Sequence, residues 1–169
     1  MKIRWLLICF FLAQLPSLPA HAQQLLLTPE NGLSGSTEGN GSLRLFFGRR
    51  RAFHVRSHGQ TEKDGSFTLK QTVAFEGHES KERLWTICQV TPLHYAGTLS
   101  DAVGRVKGHT SGQRLTLTYR VQGPFVMHQV LELMPDGRSI DNRGRITLLG
   151  IPVGFIHETI RRGDQRVHG

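Results

Sequence analysis

Histidine is the residue type that offers this chain the most chemistry, because nine of its 169 residues are histidines. Protein zinc sites are usually built from closely spaced ligand pairs such as H-E-x-x-H. The sequence contains no such pair. His54 and His58 are four residues apart, which would bring them together on a helix but separates them along a strand. We therefore expect neither a metal site nor a cofactor.

The sequence supports nucleophilic or acid–base catalysis no better than it supports a metal site. No G-x-S-x-G elbow is present. Glycoside hydrolysis needs two facing carboxylates, and turn or rim positions explain most of the candidates. We therefore expect a protein that is not an enzyme. The enzymatic alternative requires that at least two side chains of one set converge in a pocket. That set is His94, His128, His157, Asp101 and Glu132.

The chain holds two cysteines, of which Cys9 lies in the apolar N-terminal run. Once that run is removed, Cys88 is left without an intramolecular disulfide partner. Residues 85–90 have the composition of a strand, so we expect a buried and inert thiol. The alternative is a reactive thiol or an intermolecular bridge.

Arg49, Arg50 and Arg51 form the densest basic run, and they follow the apolar stretch Leu45-Phe46-Phe47. This arrangement suits contact with acidic headgroups or an acidic polymer. The alternative is a solvated strand end without a partner.

The elements that must position these residues are strands. Apolar and polar residues alternate through residues 67–76 and 114–121, the period of a strand with one dry and one wet face. Tight turns are predicted between such runs, at Asp64-Gly65, Ser111-Gly112, Gly123-Pro124, Asp136-Gly137 and Asn142-Arg143-Gly144.

The runs predict strands near residues 43–47, 51–58, 66–76, 82–90, 93–99, 102–108, 113–121, 125–134, 138–141, 145–149 and 154–161. No helical stripe of 12 or more residues follows the N-terminal run. A single antiparallel sheet of this length normally curls and closes, which removes its edges. We predict an all-β fold, an antiparallel meander closing into a barrel of about eight to ten strands.

The N-terminal 22 residues predict where the protein works. Lys2 and Arg4 precede a short apolar run, and Ala20-His21-Ala22 closes it, as in a cleaved secretory signal. We expect a signal peptide at 1–22, a flexible Gly/Ser/Asn-rich leader at 23–42, a barrel domain at 43–162 and a tail at 163–169. The remaining 147 residues have the size of one domain and keep a net charge of +6, because the signal removes two cations and no acid. The expected location is the periplasm or the medium.

Several glycine-spaced motifs carry a resemblance. They are Arg83-Leu84-Trp85-Thr86-Ile87, Tyr95-Ala96-Gly97-Thr98, Asp101-Ala102-Val103-Gly104, Lys107-Gly108, Ser111-Gly112 and Gly150-Ile151-Pro152-Val153-Gly154. As a set, over roughly residues 47–162, they resemble the bacterial family called domain of unknown function 3833. The resemblance implies an exported protein with a lipocalin-like barrel and no established activity. Family members are often lipoproteins, but this chain lacks a cysteine at the predicted cleavage point. It also has Met127-His128-Gln129-Val130-Leu131-Glu132 where the family tends to show a D-x-W-M-Y type strand.

The residues of the motif also suggest structural roles. Arg83 is expected to lie across Trp85 or to pair with Asp101, which would close one end of the barrel. Closely spaced glycines allow the bends at which a sheet curls.

The expected function is to bind an apolar or amphipathic ligand, such as a lipid, in the barrel. The expected lining residues are Phe67, Phe75, Trp85, Tyr95, Leu117, Tyr119 and Phe125. The alternative is a non-enzymatic interaction or structural protein that contacts anionic envelope surfaces through its basic face. Export argues against a nucleic-acid partner. Lys70, Arg114 and Arg120 on the wet faces argue against a membrane-spanning barrel.

Overall fold

The computed structural model describes residues 26–163. The predicted signal peptide and the first residues of the predicted leader lie outside this range, as do residues 164–169. Within it, no helix has the length and apolar character needed to cross a membrane.

Ten antiparallel strands form a closed barrel in which each strand pairs with its neighbours in sequence and β1 pairs with β10. They are β1 (Gly35–Leu45), β2 (Arg51–Thr61), β3 (Phe67–Phe75), β4 (Lys81–Thr91), β5 (His94–Leu99), β6 (Val103–Ser111), β7 (Arg114–Arg120), β8 (Phe125–Leu133), β9 (Ser139–Leu148) and β10 (Ile151–Arg162). The predicted all-β meander and its closure are therefore confirmed.

One predicted turn is wrong, and its correction reduces eleven predicted runs to ten strands. Asn142-Arg143-Gly144 lies in the middle of β9, where it pairs with both β8 and β10. Asn142 and Gly144 are buried and Arg143 is exposed, so the alternation continues through them. A glycine stands at this inward strand position because the space beside it is small. A larger side chain at Gly144 would meet Met127 and Ile156.

The expectation of an unstructured leader through residue 42 is also wrong. The short helix α1 (Pro29–Leu33) is followed directly by β1. A Gly/Ser/Asn-rich segment forms a strand here because its backbone is hydrogen-bonded on both sides, and larger side chains of neighbouring strands cover its inward glycines. The barrel thus begins at Gly35, eight residues before the predicted domain boundary at 43.

Helix α1 closes one end of the barrel. Thr28 caps the helix, and Pro29 occupies its first turn. Leu27, which precedes the helix, and Leu33, its last residue, are both buried in the core. The backbone N–H of Leu27 donates to Gly112 O, and the hydroxyl of Thr110 donates to Leu27 O. We call this end the plug end, and the opposite end, where residues 46–50 and 149–150 connect strands, the mouth.

The prediction of a buried Cys88 is wrong, because the thiol is exposed. Trp85 and Ile87 occupy the inward positions of β4, so the alternation directs Cys88 outward.

Candidate functional site

The barrel contains a cavity of about 240 Å³. Leu33 of the plug lies at one end of it, and Phe75, Asp101 and Val121 mark the other end, at the mouth. Most of the lining is apolar, and it comes from the inward positions of β1 to β4 and of β7 to β10. The fold therefore encloses a site with an apolar body and a few polar groups, the usual composition of a small-molecule site.

The structure places four of the seven expected lining residues on the cavity wall: Phe75, Trp85, Leu117 and Tyr119. The other three lie elsewhere. Phe67 is completely buried beside the plug, where its ring packs against Gly59. Tyr95 is buried with its hydroxyl near Thr28, and Phe125 lies half-buried at the mouth end of β8. Phe67 and Tyr95 therefore belong to the packed core, whereas Phe125 belongs neither to the core nor to the cavity wall.

Arg83 closes part of the mouth in both of the ways expected from the sequence. Its Nε donates to Asp101 Oδ1 at 2.9 Å, and its guanidinium lies 5.6 Å from the centre of the Trp85 ring. Burial alone would lower the pKa of Arg83, but the neighbouring Tyr119 phenol and Asp101 carboxylate outweigh it and raise the pKa. The guanidinium therefore remains a cation at the cavity wall.

Two aromatic residues of the wall are held by polar contacts and by each other. The Trp85 and Tyr119 rings meet edge to face, 5.2 Å between centroids. Trp85 Nε1 donates to Gln71 Oε1 at 2.6 Å, and Gln71 Nε2 donates to Ser57 Oγ at 3.2 Å. These bonds fix the indole orientation, so the wall near the mouth is preorganised.

A line of polar side chains runs from Tyr119 of β7 across β8 and β9 to β10. The Tyr119 hydroxyl donates to Gln129 Oε1 at 3.0 Å, Gln129 Nε2 donates to Asn142 Oδ1 at 3.4 Å, and Asn142 Nδ2 donates to Glu158 Oε2 at 2.8 Å. Burial raises the pKa of Glu158, while the hydrogen bond from Asn142 and the charge of Arg83 act against this rise. Burial also raises the pKa of Tyr119.

Sequence reasoning missed Gln129, Asn142 and Glu158. A signal for two of them was present: Gln129 interrupts the apolar face formed by Met127 and Leu131, and Glu158 stands between Ile156 and Ile160. A polar residue at a dry position of an alternating strand needs a partner inside the fold. No such signal was available for Asn142, because asparagine followed closely by glycine is typical of a turn and the sequence predicted a turn there.

The side chains proposed for an enzymatic alternative do not converge. Asp101 pairs with Arg83 at the mouth, and Glu132 pairs with Arg114 on the outer surface. His157 Nε2 lies 2.7 Å from Asp141 Oδ1, His94 contacts Thr91, and His128 contacts Thr118. Residues 26–163 contain no group of three histidine, cysteine or acidic side chains that could hold a metal ion.

Exposed apolar side chains surround part of the mouth. We call Leu45, Phe46, Phe47, Leu149, Ile151 and Phe155 the mouth patch. Phe47 is 95% exposed, and the backbone N–H of Phe46 donates to Val153 O, which ties the β1–β2 connection to β10. The exposed Arg49, Arg50 and Arg51 follow directly, and the guanidinium of Arg51 lies 5.3 Å from the centre of the Phe75 ring at the cavity mouth.

Two solved structures share this architecture. An S-type phycobiliprotein lyase from Guillardia theta is 8% identical, with a TM-score of 0.63 over 79% of this chain and 89% of that chain. A protein of unknown function from the DUF3598 family, from Nostoc punctiforme, is 14% identical, with a TM-score of 0.60 over 82% of this chain and 50% of that chain. At these identities the similarity shows a shared lipocalin-like barrel fold. No curated protein matches the chain.

The glycine-spaced motifs of β4 to β7 now have a structural place in a closed barrel, as the resemblance implied. The model of one family matches residues 12–162, which is nearly the whole chain. The protein therefore belongs to the family described as protein of unknown function DUF3833.

Proposed function

We propose that this protein binds an apolar or amphipathic small molecule inside the barrel. The observation that carries the proposal is the cavity of about 240 Å³, which remains open although side chains fill the barrel on its plug side. An apolar protein cavity of about 150 Å³ is large enough to bind benzene. The volume therefore suits a ligand of roughly ten non-hydrogen atoms, or one short acyl chain.

The fold supports binding and leaves catalysis open. The protein from Guillardia theta that shares the fold is a lyase, so the expectation that this chain is not an enzyme is not supported. An identity of 8% does not transfer that activity. Binding is the function that the cavity itself favours, and an exported location, expected from the N-terminal signal, would give the protein access to envelope lipids.

Native mass spectrometry tests the proposal on protein purified from its own host. We expect a co-purified molecule that dissociates on activation. Val55→Phe adds a ring inside the cavity, whereas Val90→Phe adds the same ring at an exposed site on β4. The molecule should be absent from folded Val55→Phe and present in Val90→Phe. Wild-type protein that carries no ligand and binds neither benzene nor octanol in solution would contradict the proposal.

The mouth patch favours a second function, which is contact with an anionic lipid surface. Apolar rings beside a run of arginines are typical of surfaces that bind membrane interfaces. This contact would place the cavity mouth against the membrane, so that a lipid-derived ligand could enter without crossing water.

Vesicle sedimentation tests this second function. We expect binding to vesicles that contain phosphatidylglycerol, weaker binding to phosphatidylcholine vesicles, and a loss with added salt. Phe46→Ser with Phe47→Ser should reduce binding about tenfold. Val90→Ser, which removes an exposed apolar side chain outside the mouth patch, should not. Binding that is independent of salt and of the two phenylalanines would exclude the patch as a membrane contact.

A further inference from the structure

The three hydrogen bonds that link Tyr119, Gln129, Asn142 and Glu158 all run in the same direction, from donor to acceptor towards Glu158. Asn142 presents its NH₂ group to Glu158 Oε2 and its carbonyl oxygen to the NH₂ group of Gln129. Gln129 must then accept from the Tyr119 hydroxyl. Every donor in this line points towards Glu158, and the line ends on its Oε2 atom.

The second oxygen of Glu158, Oε1, takes no part in this line of hydrogen bonds. It lies over the Cα atom of Gly39, and among residues 26–163 no hydrogen bond from a side chain reaches it. Gly39 and Glu158 both line the cavity. Oε1 therefore presents an acceptor to the inside of the barrel.

Thr37 supplies a second polar group without a partner, on the strand that also carries Gly39. It lies two residues before Gly39, on the same face of β1, and also lines the cavity. The residue is only 2% exposed, and its hydroxyl has no hydrogen-bond partner in the described part of the chain. A buried hydroxyl without a partner is costly. A ligand group placed between Thr37 and Glu158 would satisfy both.

The charges on the cavity wall restrict the ligand further. The lining includes one cation, Arg83, and two acids, Asp101 and Glu158. Arg83 and Asp101 form an ion pair at the mouth. Within residues 26–163 Glu158 forms no salt bridge, and it lies deeper than this pair, towards the plug. A carboxylate headgroup placed beside it would be repelled or would force Glu158 to take up a proton.

We propose that the ligand binds with a hydrogen-bond-donating headgroup, an alcohol or a protonated amine, between Glu158 Oε1 and the hydroxyl of Thr37. Its alkyl chain runs from there along Leu117 and Trp85 towards Phe75 at the mouth. This assignment rests on the proposed function, because it names the chemical class of the molecule that the cavity binds. It distinguishes the protein from a carrier of free fatty acids.

Isothermal titration calorimetry of three eight-carbon probes tests the assignment at pH 7. Octanol, octylamine and octanoate have the same chain and differ in the headgroup. We expect octanol and octylamine to bind at least tenfold more tightly than octanoate. Octanoate that binds as tightly as octanol would overturn the assignment. Failure of all three probes and of benzene would instead overturn the proposed function itself.

Variants of the two polar groups locate the headgroup. Thr37→Val, which keeps the shape of the side chain, should weaken octanol binding about fivefold or more, whereas Thr98→Val at an exposed position should not. Glu158→Gln should weaken octylamine binding more than octanol binding, and Glu38→Gln at an exposed position should change neither. Thermal unfolding confirms that each variant is folded. If both cavity variants bind the probes as wild type does, the headgroup does not lie here.

Discussion

Glu158 of β10 lies directly against Gly39 of β1: a methyl group at position 39 would come within 1.9 Å of Glu158 Oε1. The three atoms nearest to that methyl group all belong to Glu158. The glycine therefore provides the space that the buried carboxylate occupies. We expect substitutions at the two positions to have coupled effects on the free energy of unfolding.

A double-mutant cycle measures this dependence. Gly39→Ala should destabilise the protein by about 1–3 kcal/mol, because it forces the Glu158 side chain out of its position. The same change in a Glu158→Ala background should cost much less, since the clashing atoms are gone. Denaturant unfolding gives the four stabilities. Gly48→Ala is the control, because its new methyl group would meet only Leu45, at 3.6 Å. Equal costs in both backgrounds would show that Glu158 is not what Gly39 accommodates.

The raised pKa of Glu158 predicts a pH dependence of stability. Its pKa lies above the ordinary value of 4.5 because of burial, so the folded protein holds this proton more tightly than the unfolded chain. Stability contributed by this group is therefore full below pH 4.5 and is lost as the pH rises through the folded pKa. Glu158→Gln removes this loss of stability. The melting temperature of the variant, relative to that of wild type, should therefore increase between pH 4 and pH 8. Glu38→Gln is the exposed control, and a Glu158→Gln curve parallel to wild type contradicts the prediction.

Asp136 predicts a dependence of the opposite sign, in the turn between β8 and β9. Hydrogen bonds from the Ser139 hydroxyl and from the backbone N–H groups of Arg138 and Ser139 lower its pKa to about 2. Stability from this group is full above pH 3.8 and is lost as the pH falls towards 2. Asp136→Asn should therefore lower the melting temperature at pH 6 and narrow its difference from wild type at pH 2.5. A difference that stays constant with pH would exclude a contribution from the carboxylate charge.

The plug should contribute strongly to stability. Leu33→Ala removes a buried side chain that also lines the cavity floor, and we expect a loss of about 2–5 kcal/mol in the free energy of unfolding. Leu149→Ala, at a position that is 85% exposed, should change it by less than about 0.5 kcal/mol. Chemical denaturation measures both. Similar small losses in the two variants would mean that α1 does not close the barrel in solution.

Cys88 should react in the native state. Its thiol is exposed on the outer face of β4, so a thiol reagent should modify one more equivalent in folded wild type than in Cys88→Ser. Cys88→Ser itself should leave the melting temperature almost unchanged. A thiol that reacts only after denaturant is added would mean that β4 is turned or covered in solution.

The alternation of residue types determined much of this fold. In β3 and β7, inward Phe67, Leu69, Leu115 and Leu117 could be recognised from their period of two alone, because a strand side chain has only two directions. A long meander must also hide its edges, so closure followed from the same pattern. A contact of Arg83 with Trp85 or with Asp101 could be expected because these residues belong to the set of neighbouring motifs that carry the family resemblance.

Three features of the molecule were decided only by the tertiary structure: an unexpected strand segment, the surroundings of one inward ring, and a contact between the two ends of the sheet. Asn142 and Gly144 looked like a turn, and only pairing with β8 and β10 makes them part of a strand. The inward position of Phe67 was predictable, but whether it faces a cavity or the plug depends on where α1 enters the barrel. The pairing of β1 with β10 brings Gly39 against Glu158 across more than a hundred residues. The alternation of residues along one strand cannot predict this contact, because the contact forms only when the first and last strands of the sheet pair.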